Sequence, residues 1–170
     1  MISICLTGSG ISTFVSYCKE ILGENYTLDI STVDLVKSLA VKAGWDGTKT
    51  PKNRKFLSDL KQLLIEWDDI PYKDVIKTAQ NKREDLDAYG ITHTLYVFIQ
   101  CREPEEIQKF VDRVGAHTVF VSREDHEIPT NESDIATYKY DYETTIFNNG
   151  DLIQLKSNAR SYIFNYLISK

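Results

Sequence analysis

The sequence predicts an α/β protein of three layers, α/β/α, with a parallel sheet of about five strands between the helices. Short apolar runs with strand composition alternate with stretches of helical periodicity along the whole chain. The run at residues 93–100, His-Thr-Leu-Tyr-Val-Phe-Ile-Gln, has the apolar density of a strand covered on both faces. No internal repeat, low-complexity tract or linker interrupts the alternation. At 170 residues the chain is expected to be a single domain, 1–170, large enough to bury a sizeable core.

Ile2, Ile4 and Leu6 form a first strand, Gly8 and Gly10 a loop, and Ser12-Thr13 opens a helix through residue 22. Residues 23–25 are a turn and 26–30 a second strand. Ser31 or Thr32 is the expected cap of a helix over 33–40. The glycines at 44 and 47 mark a loop, and Pro51 suits the first position of a helix over 52–67, with Phe56, Leu60, Leu63 and Leu64 on its apolar face. Pro71 breaks that helix, and a polar one from 72 to about 89, closed by Gly90, is expected on the surface. After the strong strand come a helix over 105–114, a strand over 118–121, and a polar segment at 123–140 long enough to act as a lid. A last strand at 142–147, a turn at 148–150 and an amphipathic helix from 152 to 168 close the chain.

Composition narrows the functions. With 42% hydrophobic and 26% charged residues, a net charge of −5 and a pI near 5.2, the chain has no general affinity for nucleic acid or for membrane polyanions. Any phosphate site must be a local cluster. The N-terminus has no signal-like pattern and no apolar run approaches the roughly 20 residues of a membrane span, so a cytoplasmic protein without a membrane partner is expected. Cys5, Cys18 and Cys101 lack metal or redox spacing and read as buried free thiols.

The strand, glycine loop, helix order at the N-terminus is that of a phosphate-binding loop, in which backbone N–H groups and a helix N-terminus face an anion and a Ser or Thr hydroxyl can ligate Mg²⁺. In a parallel sheet ligands bind beyond the carboxyl ends of the strands. The residues just past those ends are Gly8 to Thr13, Ser31 and Thr32, Arg102 and Glu103, Arg123, then Asn148 and Asn149. Two arginines and an anion-binding loop on one rim suit phosphate. Taken singly, Arg102 and Arg123 also read as charge balance, and Lys52 to Lys55 as a solvated face. His126 sits between Asp125 and Glu127 but lacks a second ligand at metal spacing. His93 and His117 read as structural, and Tyr138, Tyr140 and Tyr142 as packing.

These segments together resemble the P-loop NTPase-like nucleoside and deoxynucleoside monophosphate kinases. Ile4-Cys-Leu-Thr-Gly-Ser-Gly-Ile-Ser-Thr-Phe14 is similar to their phosphate loop. Thr32-Val-Asp-Leu-Val-Lys37 resembles the segment after the second strand, and Thr50-Pro-Lys-Asn-Arg-Lys-Phe-Leu-Ser-Asp-Leu60 the helix over the acceptor site. Cys101-Arg-Glu-Pro-Glu-Glu-Ile107 and Val119-Phe-Val-Ser-Arg123 resemble the arginine-bearing strand ends, and Asp141-Tyr-Glu-Thr-Thr-Ile-Phe-Asn-Asn-Gly-Asp-Leu152 the closing strand and turn. The shared order runs nearly end to end.

The resemblance implies ATP and Mg²⁺ as cofactors. It places donor phosphates on Gly8, Ser9, Gly10, Ile11, Ser12 and Thr13, and Mg²⁺ on Ser12. The acceptor phosphate falls to Lys37, Lys52 and Arg54, and the transferred group to Arg102 and Arg123. Residues 33–90 would form the acceptor side and 123–140 the lid. ATP or ADP and a small phosphorylated acceptor are the implied partners, and a homodimer is kept open as the assembly. The chain departs from the pattern G-x-x-x-x-G-K-[ST] where Ile11 replaces its lysine and Cys5 its first glycine. Counted from Gly8 instead, the loop is about three residues short. Gln100 stands where an aspartate often precedes the strand-end arginine, with Asp34, Asp59 and Glu103 as other acids. A non-catalytic nucleotide-binding protein on the same scaffold, or an interaction protein without ligand, are the alternatives.

Overall fold

A computed structural model describes residues 1–123 and 132–168. It confirms an α/β architecture with a five-stranded parallel sheet flanked by helices. The chain forms two compact units, one of Met1–Asp29 with His93–Lys170 and one of Ile30–Thr92.

In the first unit β1 (Ile2–Gly8) leads into α1 (Ile11–Leu22), and a single 3₁₀ turn (Glu24–Tyr26) leads into β2 (Thr27–Ser31), whose first three residues belong here. After the second unit come β3 (Tyr96–Gln100), α5 (Pro104–Val114), β4 (His117–Ser122), α6 (Glu132–Lys139), β5 (Thr144–Phe147) and α7 (Leu152–Tyr162), which continues into a π-helical turn, Ile163–Leu167. The strand order is β2-β3-β1-β4-β5. β1 is central, pairing Ile4 with Phe98 on one side and Leu6 with Val119 on the other.

Side-chain alternation divides the core between the two faces of the sheet. Ile4, Leu6, Phe98, Val119, Val121 and Ile146 pack under Phe14, Val15 and Cys18 of α1 and Leu155, Ala159 and Tyr162 of α7. The Phe14 and Tyr162 rings meet at 5.7 Å and join the two helices. Cys5, Val97, Ile99 and Phe120 are buried on the other face, where α5 supplies Ile107 and Phe110. All three cysteines are buried free thiols, as their apolar settings predict.

The second unit holds α2 (Asp34–Lys42), α3 (Pro51–Asp68) and α4 (Ile70–Ala88), with α3 packed against both others. Thr50 caps α3 by accepting from the Asn53 N–H (3.2 Å), and Pro51 stands at its start, where its missing N–H costs no helix bond. Asp69, at φ 52°, ends α3 and begins α4 in one left-handed residue, so the break falls just before Pro71.

Several expectations need correction. The cap of α2 is Val33, without a side-chain bond, because Ser31 Oγ accepts from Val33 N and Asp34 reaches back to Ser31 N. The apolar face of α3 buries no residue, and Leu63 is 61% exposed, because within the unit it meets only two neighbouring helices. Conversely, α4 is not wholly superficial: Pro71, Val75, Ala79 and Leu86 form a buried stripe at helical spacing. His93 precedes β3 and packs on Tyr26 at 4.6 Å. The polar segment expected as a lid contains α6; its residues 124–131, with His126, lie outside the described residues.

Candidate phosphate-binding rim

The turn from β1 to α1 contains only Ser9 and Gly10 between the named elements. Gly8 has φ 115° and lies so close to β4 that a Cβ there would stand 2.1 Å from the Val121 carbonyl oxygen. Ser9 N–H donates to that same oxygen at 2.8 Å. Gly10 caps α1 in the left-handed region, φ 86°, where only glycine is free of Cβ strain, and its carbonyl accepts the first helical bond from Phe14 N (3.0 Å). The turn is thus drawn tight against β4, and its first N–H is already used.

What stays available is the start of α1. The helix has no side-chain cap and no acidic residue in its first turn. The N–H groups of Ile11, Ser12 and Thr13 therefore carry the positive end of the helix dipole without a neutralising side chain. Ser12 is exposed there, whereas Ile11 is partly buried against the core and offers no charge.

The neighbouring strands leave in the opposite direction. β1 passes to α1 on one face, while β3 passes to α5 on the other, and β4 leads toward α6, which packs on that same side through Tyr138 against Phe120 (5.0 Å). Adjacent strands exiting to opposite faces open a crevice at their carboxyl ends. Arg102 and Arg123 stand at the ends of β3 and β4, both exposed, flanking the end of β1. Thr137 of α6 donates to the Arg102 carbonyl at 2.8 Å, and Tyr142 donates to the Thr137 carbonyl at 2.7 Å. Burial pushes the Tyr142 phenol up and keeps it a neutral donor. Asn148 closes the rim, with its backbone N–H donating to Ser122 O (2.7 Å) and its side-chain amide to Ser9 O (3.2 Å).

The predicted residues therefore fall into two sets. Gly8, Ser9, Gly10, Ile11, Ser12, Thr13, Arg102 and Arg123 belong to the first unit and gather at three adjacent strand ends. Lys37, on α2, and Lys52 and Arg54, in the first turns of α3, belong to the second unit and are all exposed. There Asn53 ties the loop down, its amide donating to Thr48 Oγ1 (2.8 Å) and Asp46 Oδ1 (3.2 Å). Bonds from Thr48 hold the exposed Asp46 carboxyl below its usual range. Gln100 donates to Asp29 across β3 and β2 (2.7 Å), so this strand end is organised by an amide. Sequence reasoning named Asn148 as a strand-end residue but not its bond to Ser9, and it missed Thr137, whose partner is 35 positions away.

Fit to the implied cofactors is partial. An open helix start between two arginine-bearing strand ends suits a phosphate group. The turn is too short to wrap one, and no lysine follows it. Ser12 Oγ is exposed at the helix start and available to a phosphate-bound cation; among the described residues no three His, Cys, Asp or Glu side chains cluster at metal-binding distance. No described helix is long and apolar enough to cross a membrane.

Fold and rim together define an α/β protein with a carboxyl-edge crevice. Neither the protein-family models nor the curated proteins compared with this chain match it.

Proposed function

We propose that this is a cytoplasmic nucleotide-binding protein of kinase-like architecture, which takes the phosphates of ATP or ADP at the start of α1 and a small phosphorylated acceptor, a (deoxy)nucleoside monophosphate, on Lys37, Lys52 and Arg54. One observation carries the reading: the uncapped N-terminus of α1 lies at the crevice between the strand ends that bear Arg102 and Arg123. Helix N–H groups and guanidinium forks recognise phosphate oxygens without needing a wrapped loop. The first turn of α3 supports it independently. That turn contains Lys52 and no acid, a placement the helix dipole opposes unless an anion is near.

In the catalytic form of this reading, Arg102 and Arg123 hold the transferred γ-phosphoryl group, the helix start orients the donor phosphates, and Mg²⁺ on Ser12 neutralises charge between them. Positioning and charge compensation are what phosphoryl transfer requires of a protein. The tight turn and the core-packed Ile11 favour a second form, in which the same rim binds nucleotide without turnover.

Calorimetric titration of the full chain with ATP and ADP, with and without Mg²⁺, tests the reading. Saturable binding that Arg102→Ala and Arg123→Ala each weaken about tenfold is expected. Absence of binding sinks both forms. ADP production across a panel of nucleoside monophosphates separates them: turnover supports the catalytic form, and binding alone the regulatory one.

A further inference from the structure

One side of α3 is apolar and uncovered. Phe56, Leu60, Leu63 and Trp67 succeed one another at the alternating four- and three-residue intervals of a two-helix coiled-coil seam. A seam of this spacing is closed by a second helix. Here Phe56 is 38%, Leu63 61% and Trp67 81% exposed, with Leu60 half-buried. Leu57 and Leu64, one residue further round the helix, are half-buried as well, so the side of α3 that packs on α2 and α4 adjoins the seam without covering it.

Each end of the same helix carries the charge that its own dipole disfavours. Lys52, Arg54 and Lys55 lie at its start with no acid in the first turn, and Glu66 and Asp68 lie in its last turn with no base. A phosphate on Lys52 and Arg54 answers the basic end alone. At about 100° per residue, Lys52, Lys55 and Glu66 all fall on the flank of the seam away from Leu57 and Leu64. Their present contacts are local: Lys55 pairs with Asp59 (2.6 Å), and Glu66 accepts from Gln62 (2.8 Å). Lys73 of α4 pairs with Asp68. Exposed contacts of this kind are worth little and can be shared with a partner.

We propose that α3 pairs antiparallel with the α3 of a second copy of this chain, making a two-fold homodimer. A two-fold interface applies one patch to itself, so the patch must be self-complementary. An apolar seam whose flank is basic at one end and acidic at the other meets that condition only in the antiparallel sense. Glu66 of each copy then comes to the Lys52 and Lys55 end of the other, and the two helix dipoles oppose. A parallel pair would set these lysines against their own copies. The area agrees. The exposed parts of Phe56, Leu63 and Trp67 amount to about 400 Å² per copy. At the apolar share usual for interfaces this implies roughly 1,300 Å² in total, enough for a specific dimer. The pair needs no nucleotide, so it stands independently of the reading above.

Sedimentation velocity of the full chain from about 1 to 200 μM tests this. The mass should rise with concentration toward twice the 19.5 kDa of one chain. Leu63→Ser and Trp67→Ser replace exposed side chains, so each should melt as the parent does at low concentration yet associate at least about tenfold more weakly. Lys55→Glu and Glu66→Lys should each weaken association about threefold or more by setting like charges across the pair. An equimolar mixture of those two variants should recover it, because each new charge then meets its opposite. The pairing is overturned by a single-chain mass at every concentration or by unaltered association in Leu63→Ser and Trp67→Ser. A mixture no stronger than its separate components overturns the antiparallel arrangement.

Discussion

The side-chain amide of Asn148 donates to the carbonyl of Ser9 at 3.2 Å, tying the end of β5 to the turn between β1 and α1. The backbone N–H of the same residue bonds Ser122 at the end of β4. One asparagine therefore sets the spacing of three strand ends around the helix start. Asn148→Ala is expected to lower stability by about 1 kcal/mol, the worth of one hydrogen bond, and Asn148→Asp by more, since a carboxylate there would face a carbonyl oxygen. Urea unfolding followed by circular dichroism reads both. Equal stabilities for the three proteins would show that the amide bond contributes nothing.

The two loop glycines should respond unequally. At Gly8 a methyl group would stand 2.1 Å from a backbone oxygen, and φ is 115°. Gly8→Ala must move β1 against β4, at a cost of about 3 kcal/mol or more. At Gly10 the obstacle is the Asn148 amide, 2.5 Å away, which is a side chain that can rotate. Gly10→Ala is expected to cost about 1–2 kcal/mol for its φ of 86° and the displaced bond. The order of the two melting temperatures is the measurement, and a Gly10 variant less stable than the Gly8 variant contradicts the packing described.

Lys52 and Arg54 can be distinguished from ordinary surface charge by the sign of two effects. In the proposed reading Lys52→Ala and Arg54→Ala each weaken nucleoside monophosphate binding about tenfold. Thermal stability should stay level or rise by a few tenths of a kcal/mol, because a positive charge is removed from the positive end of α3. A fall in stability with unchanged affinity would make both residues structural.

Burial pushes the Cys18 thiol up to about 12, from an unfolded value near 9. The unfolded chain releases this proton first, so the stabilising contribution is complete below about pH 9 and is lost as pH rises from there toward 12. Stability measured by urea unfolding should therefore decline above about pH 9, and the decline should be shallower in Cys18→Ala. In the native protein at about pH 8 iodoacetamide should leave Cys18 unmodified, since attack requires an exposed thiolate. Rapid native alkylation at Cys18 would refute the burial described.

Local patterns in the sequence determined most of the elements and the class of fold. Strand composition and helical periodicity act between neighbours, so the dense run at 93–100, Pro51 and Gly115 marked their elements, although β3 itself starts only at Tyr96. Strand-end residues were legible too, because a parallel sheet places all of them on one edge, and this brought Arg102 and Arg123 beside the β1–α1 turn. Only tertiary structure decided the rest. The fit of Gly8 against Val121, the bond from Asn148 to Ser9 and the support of Arg102 by Thr137 join residues far apart in sequence, and no spacing rule encodes them. The apolar face of α3 reads as core in isolation, yet burial depends on what is packed against it, and that face buries none of its residues. The glycine loop shows the same division. Its order announces a strand turning into a helix over an anion-binding N-terminus, whereas its two-residue length and its contact with β4 determine how tightly it closes.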